Sequence, residues 1–411
     1  MRSALTAILK ISITLETNKD TTASDGVYSI DLGQGIKLSI GLVEFKQGLG
    51  EGGSDATIQA GLSMKRLWSD DAKAATVHVR SKCCCPTLMI AGGGPWLSVL
   101  GGVFTDKLIV QRLTDMMWIA QSSTYEDVRV YRFAQTMVAL RECFNDLRQY
   151  YTQLYSSDIP SCLPNVPHPR FFPYPTAFER ENGTITSWYY IKELHPANSE
   201  EMDPTCVTYL AQITGSQDLV VVKFVDRYGA AVHRFVANEG HAPELLYCGP
   251  LSRQTIPSPT TSFPGIALGP LQMVVMRYVK PCSLPASKPL ISMREQLRSL
   301  FVKMHLSGYV FGDLRRPNVI LDEKGTVQLI DFDWAGRYDR SYVDTDLNAQ
   351  DIIPSNILVV SENSQDGTDY AIYPLDLSKL SFDKTGAKDL KPIRPVHDWR
   401  MLGMISLQDG L

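Results

Sequence analysis

Val310-Phe311-Gly312-Asp313-Leu314-Arg315-Arg316-Pro317-Asn318-Val319-Ile320-Leu321 and, after the turn Glu323-Lys324-Gly325, Val327-Gln328-Leu329-Ile330-Asp331-Phe332-Asp333 decide how the C-terminal half of the chain is read. Two short β-prone runs flank a polar turn, which predicts a hairpin with a charged loop at its entry and an acidic segment at its exit. Upstream, Met293, Leu297, Leu300, Phe301 and Met304 recur at helical steps and stop at Ser307-Gly308, so a helix leads into the loop. Further back, Asp218-Leu219-Val220-Val221-Val222-Lys223-Phe224-Val225 is a β run with one lysine inside it. Lysine is costly in a buried strand without an anionic partner, the alternative being an edge strand. Residues 230–238 read as a helix, and 271–279 as another apolar strand.

These residue types suit phosphoryl transfer. Asp313 would accept the proton of an incoming hydroxyl. Asn318, five residues on, and Asp331 offer hard oxygens for Mg²⁺. Arg315 or Arg316 would neutralise charge on the phosphoryl group, and Lys223 would pair with the phosphates of ATP.

The D-x-x-x-x-N loop, the hairpin and the I-D-F-D strand resemble the protein-kinase-like fold. His397-Asp398-Trp399-Arg400-Met401-Leu402-Gly403 resembles that fold's D-W-x-x-G helix start, whose Asp braces the catalytic loop. Val222-Lys223-Phe224, Gly312 to Asn318 and Ile330-Asp331-Phe332-Asp333-Trp334-Ala335-Gly336 look more closely like the fungal-type protein-kinase-like family. The resemblance implies an α+β fold, with a two-lobed protein-kinase-like domain whose C-lobe is truncated. It implies ATP and Mg²⁺ as cofactors and a protein substrate, phosphorylated on Ser or Thr rather than Tyr. Arg277, Tyr278 and Val279 would be the adenine-binding hinge.

Several positions depart from the pattern. Phe311-Gly312 stands where His-Arg is usual, and Asp-Phe-Asp replaces Asp-Phe-Gly. Ala230-Ala231-Val232 occupies the place of a lysine-pairing Glu, with Glu239 as a substitute candidate. No glycine lies between Ile191 and Ile213, where a phosphate flap would sit, and the chain stops soon after Asp398. These departures define an alternative, a pseudokinase scaffold. Residues 338–376 would form an activation segment with an insertion, carrying Ser341, Tyr342, Thr345 and Ser361 as modifiable hydroxyls.

The N-terminal part reads differently. Residues 25–46 predict a hairpin turning at Gly33-Gln34-Gly35, with Asp25 opposite Glu44 and with Glu44 and Lys46 on one strand face. Two carboxylates can hold Mg²⁺, and an ammonium can orient a water. Asp25, Glu44-x-Lys46 and Gln59 on the next helix, N-capped by Ser54 or Asp55, resemble the PD-(D/E)xK restriction-endonuclease-like superfamily. Met64 stands where RecB-type nucleases often carry Tyr. The resemblance implies a small α/β endonuclease-like domain and nucleic acid as a partner. A metal-dependent nuclease regulated by the kinase-like part is therefore a further alternative.

Phe133, Met137, Leu140, Phe144, Leu147, Tyr151 and Leu154 form one stripe of a long helix, packed on its own domain or in a dimeric coiled coil. Six prolines from Pro160 to Pro175 follow. Proline lacks an N–H donor, so an extended linker is expected. The domains are thus 1–155, endonuclease-like; 156–184, linker; and 185–411, kinase-like.

The 411 residues carry 40 Lys and Arg against 44 Asp and Glu, a net charge of −4, which excludes a whole-chain polycation. Eight cysteines, three of them contiguous at 83–85, form no C-x-x-C pair, so reduced thiols in an intracellular protein, of cytoplasm or nucleus, are expected. Residues 87–104 are apolar, but Gly92-Gly93-Gly94-Pro95 and Gly101-Gly102 interrupt them, so buried strands are expected there and no membrane span. The oligomeric state is open at this level.

Overall fold

In a computed structural model the chain divides into two compact units, Met1–Pro173 and Tyr174–Leu411. The structure describes residues 2–15, 24–48, 55–105, 108–121, 126–162, 168–180, 182–194, 207–251, 271–282, 290–340, 370–375, 377 and 385–405.

The first unit opens with α1 (Arg2–Leu9), β1 (Ile13–Thr14), β2 (Gly26–Asp31) and β3 (Lys37–Lys46). Then come α2 (Ala56–Trp68), α3 (Ala74–Arg80), β4 (Thr87–Gly93), β5 (Trp96–Phe104), β6 (Leu108–Arg112), β7 (Met117–Trp118) and α4 (Glu126–Ser156). The sheet runs β1-β2-β3-β4-β5-β6, with β7 also on β5. Only β3 and β4 pair in parallel among these strands, and a parallel pair needs a crossover, here α2 and α3. Asp55 caps α2 by accepting the Thr57 N–H at 2.7 Å.

The 87–104 stretch is the β4–β5 hairpin, and Gly94 supplies the left-handed residue of its turn, with φ +55°. Every residue of β4 is buried, which is why the run is so apolar. Among the described residues no helix is long and apolar enough to cross a membrane. The α4 stripe faces its own unit. Met137, Leu140, Phe144, Tyr151 and Leu154 are buried in the sheet's core, so the coiled-coil seam is already covered. Phe144 lies so close to Gly41 that a Cβ there would come within 2.5 Å of the ring.

The stretch expected as a linker, 156–184, is structured where it is described. His168 is buried, Pro169–Phe171 makes one 3₁₀ turn, and Arg170 donates to the carbonyls of Arg80, Phe104 and Thr105. A half-buried guanidinium whose two terminal nitrogens donate to three carbonyls fastens this segment to the first unit, which composition alone does not reveal. The end of the stretch is a strand of the second unit.

That unit begins with β8 (Ala177–Glu179), β9 (Ile185–Glu193), β10 (Val207–Ile213), β11 (Leu219–Val225), α5 (Ala230–Asn238), β12 (Leu245–Pro250) and β13 (Gln272–Arg277). Its sheet is antiparallel throughout, in the order β12-β13-β11-β10-β9-β8. Then follow α6 (Leu290–Leu306), β14 (Tyr309–Val310), β15 (Val319–Leu321), β16 (Val327–Leu329), β17 (Gly336–Arg337) and α7 (Pro395–Met404). The α6 stripe (Leu297, Leu300, Phe301, Met304) packs with Val232 and Val236 of α5, Phe311 and Leu314 of the loop, and Trp399 and Leu402 of α7. This one core holds the charged loop between the sheet and α7.

Candidate active site

Lys223 sits in the centre of the sheet, paired with Thr208 of β10 and Val274 of β13, and only 5% exposed. The edge-strand alternative is thereby excluded, and a partner is required. It has two: Nζ donates to Asp331 and to Asp333, each at 2.7 Å. Asp331 follows β16 in a left-handed conformation, φ +66°, which Asp tolerates better than most residues. That twist sends two carboxylates of one short segment to the same ammonium. Glu239, the substitute helix partner, instead pairs with Lys303 at 2.5 Å.

The start of α5 explains why no helix glutamate is used. The Gly229 N–H donates to the Phe332 carbonyl at 2.8 Å, and a Cβ on Gly229 would strike the Ala335 carbonyl oxygen at 2.3 Å. The helix start therefore lies directly on the 331–335 segment, which brings Asp333 to Lys223. Arg227 Nε, donating to the Asp333 carbonyl at 3.1 Å, adds to this junction.

Burial alone would raise the Asp331 carboxyl, but Lys223, and more weakly Arg315, hold it below the ordinary range. Burial, with Asp331 alongside, pushes Asp333 up to about 7. The two acids share one cation and divide its effect unequally.

Asp313 lies in the loop after β14 and is 3% exposed. Arg315 grips it with two hydrogen bonds, Nε at 2.5 Å and Nη2 at 2.8 Å, and Asn318 Nδ2 donates to Oδ2 at 2.8 Å. Arg316 is exposed, so Arg315 is the arginine of the cluster. Burial raises the Asp313 carboxyl despite these donors, and nearby Asp331 acts in the same direction. The loop is itself held from behind. Asp398 of α7, fully buried, accepts the N–H groups of Phe311 (2.9 Å) and Gly312 (2.7 Å) and Nε2 of His305 (3.0 Å). Gly312 has φ +81°, and a Cβ there would meet Ile393 at 2.8 Å, so this backbone does not accommodate the usual Arg.

Phe332 joins these pieces. Its ring stacks on His233 (4.4 Å between centroids) and meets Phe311 edge-on (5.3 Å). His233 faces the Pro243 carbonyl through Nε2, which must donate, so Nδ1 accepts from the Tyr228 hydroxyl. Burial drives this imidazole down to about 4. The unfolded chain then binds a proton that the folded chain refuses between about pH 6.5 and 4. Stability should fall by up to about 3 kcal/mol as pH drops through that window. Denaturation midpoints across it should flatten in His233→Gln, and an unchanged slope would place the loss elsewhere.

Arg277 ends β13, and its N–H donates to the Glu244 carbonyl while its side chain reaches Glu244 and Asp218 at the surface. The Tyr278 N–H donates to Leu219 O, and Val279 follows, half-buried. Residues 195–206, where a phosphate flap was expected, and the hydroxyls Ser341, Tyr342, Thr345 and Ser361 lie outside the described residues.

In the first unit the β2–β3 ladder begins at Gly26 opposite Val43, and Asp25, one residue before it, accepts the Phe45 N–H at 2.6 Å. Glu44 is 1% exposed and accepts the Ser63 hydroxyl at 2.6 Å, a contact sequence reasoning missed. Burial raises its carboxyl, outweighing the Ser63 hydrogen bond. Lys46 ends β3 and Gln59 lies on α2, both half-buried. Met64 is wholly buried against Gly102, a core role. Among the described residues no group of three or more His, Cys, Asp or Glu is placed to hold a metal.

No protein-family profile matches the chain, and no curated protein matches it. Among solved structures it is similar to the Cydia pomonella granulovirus kinase PK-1, at 15% identity and a TM-score of 0.26, over 37% of this chain and 55% of that one. The match spans about half the length of that kinase, and at this score it carries no argument for fold or activity.

Proposed function

We propose that the unit Tyr174–Leu411 is an ATP- and Mg²⁺-dependent phosphotransferase of the protein kinase type, acting on a protein hydroxyl, Ser or Thr rather than Tyr. One observation carries the reading. Lys223, Asp313, Asn318 and Asp331 come from a sheet strand, a loop and a post-hairpin segment, yet they form two adjoining polar pairs, Lys223–Asp331 and Asp313–Asn318, bridged by the Ile330 N–H to the Asn318 carbonyl, with Asp398 fastening the loop behind them.

Each residue has a role that its surroundings favour. Asp313, with its carboxyl raised, is the base for the acceptor hydroxyl. Arg315 orients it and bears charge toward the transferring group. Lys223 is the cation for the nucleotide phosphates, and Arg277 to Val279 form the adenine-facing segment. Asn318 commits Nδ2 to Asp313, so its Oδ1, with the Asp331 carboxylate, offers the hard oxygens that suit Mg²⁺. Mg²⁺ bound there would offset phosphate charge.

Calorimetric titration with ATP tests the assignment. Binding should strengthen with Mg²⁺ in the wild type, and Asp331→Ala should remove that enhancement, a loss of about tenfold or more. If the wild type binds no ATP, the unit is a binding module and the phosphotransferase reading fails.

A further inference from the structure

The second unit contains a cavity of about 330 Å³ lined by Gly386, Lys388, Lys391, Pro392, Arg394 and His397. None of these belongs to the Lys223–Asp313 cluster. Among the described lining residues three are cations and none is a carboxylate, in a chain whose net charge is −4.

Two described acids nearby accept hydrogen bonds from other parts of the unit. Asp389 accepts the Leu377 N–H at 2.9 Å, and Asp398 is taken by the loop amides and His305. Among the described residues Lys388 and Lys391 have no acidic partner, and both are exposed.

The floor of the cavity is built. His397 is 6% exposed, and its Nδ1 accepts the Arg394 N–H at 3.3 Å, so the Tyr373 hydroxyl donates to the same atom at 3.2 Å. Those contacts fix the ring. Arg394 and His397 are also the cap and first turn of the ten-residue α7, whose amide dipoles favour negative charge at that end. Ile393, between two lining residues, packs on Gly312 of the Asp313 loop.

We propose that this cavity binds a phosphate monoester dianion. The two exposed ammonium groups of Lys388 and Lys391 supply charge and donors, the helix start adds to the field, and the volume lies at the lower end for small-ligand sites. The site stands apart from the phosphotransferase reading and survives its failure.

The full chain is titrated by calorimetry with inorganic phosphate, with N-acetyl-phosphoserine amide and with its unphosphorylated parent. The phosphates should bind saturably and the parent should not. Lys388→Glu with Lys391→Glu, two exposed positions that leave the core untouched, should weaken binding at least about tenfold. Lys223→Ala should leave it unchanged. Tighter binding of the phosphoserine derivative would assign the site to a phosphorylated side chain, and equal binding would assign it to free phosphate. Absence of saturable phosphate binding in the wild type would overturn the proposal. So would equal binding in the double variant, or loss in Lys223→Ala alone, which would place the phosphate at the nucleotide cluster.

Discussion

Asp313→Asn should lower phosphate transfer by about 10²- to 10⁴-fold, the range a positioned general base supplies, while ATP affinity stays within about threefold of the wild type. The amide preserves the shape of the side chain and one acceptor for Arg315, so the loop should keep its course. What it removes, on the proposed reading, is the acceptor for the substrate proton. Burial and nearby Asp331 hold that carboxyl above its ordinary range, which makes it a better base than an exposed aspartate. A turnover assay beside an ATP titration separates the two effects. If turnover in Asp313→Asn equals that of the wild type, the base lies elsewhere.

The second large effect is expected at Asp398. This wholly buried carboxylate satisfies two backbone amides and one imidazole. Asp398→Ala leaves all three donors buried without an acceptor, at about 1–3 kcal/mol each before relaxation. A net loss of about 3–5 kcal/mol follows, or roughly 10 °C in the unit's melting temperature. Asp398→Asn keeps one oxygen and should lose less. Activity should fall in both, because Gly312, whose N–H Asp398 holds, immediately precedes Asp313. An Asp398→Ala protein that melts with the wild type would show that the loop is held by its apolar packing alone.

The candidate site was legible in the sequence where its residues are close together along the chain. Asp313 and Asn318 are five apart, and the β15–β16 hairpin between Asn318 and Asp331 is short, so spacing alone brings these groups near one another. Asp398 was legible through its own local pattern. The partners of Lys223 were legible only in kind. A buried lysine demands an anion, but the choice of Asp333 over Glu239 depends on Gly229 lying against Ala335, a contact between segments about a hundred residues apart. Arg315's two-pronged grip on Asp313 was hidden for another reason. Arg315 and Arg316 are equivalent in sequence, and only the turn at Arg316–Asn318 exposes one and turns the other inward. In the first unit, alternation along β3 located Glu44 and Lys46 but gave no sign of Ser63, which faces Glu44 from a helix. The proline-rich stretch misled because composition reports what a segment cannot form, not what its one arginine can reach.

That arginine has a consequence for the order in which the chain acquires structure. Arg170 closes the first unit by tying its own segment to carbonyls at positions 80, 104 and 105. A nascent chain emerging residue by residue has the whole sheet outside the ribosome first, and then α4, which ends at Ser156, ahead of position 170. The unit therefore completes late, when Arg170 reaches those carbonyls, and a fragment ending at Ser156 should be a looser body than one ending at Pro173.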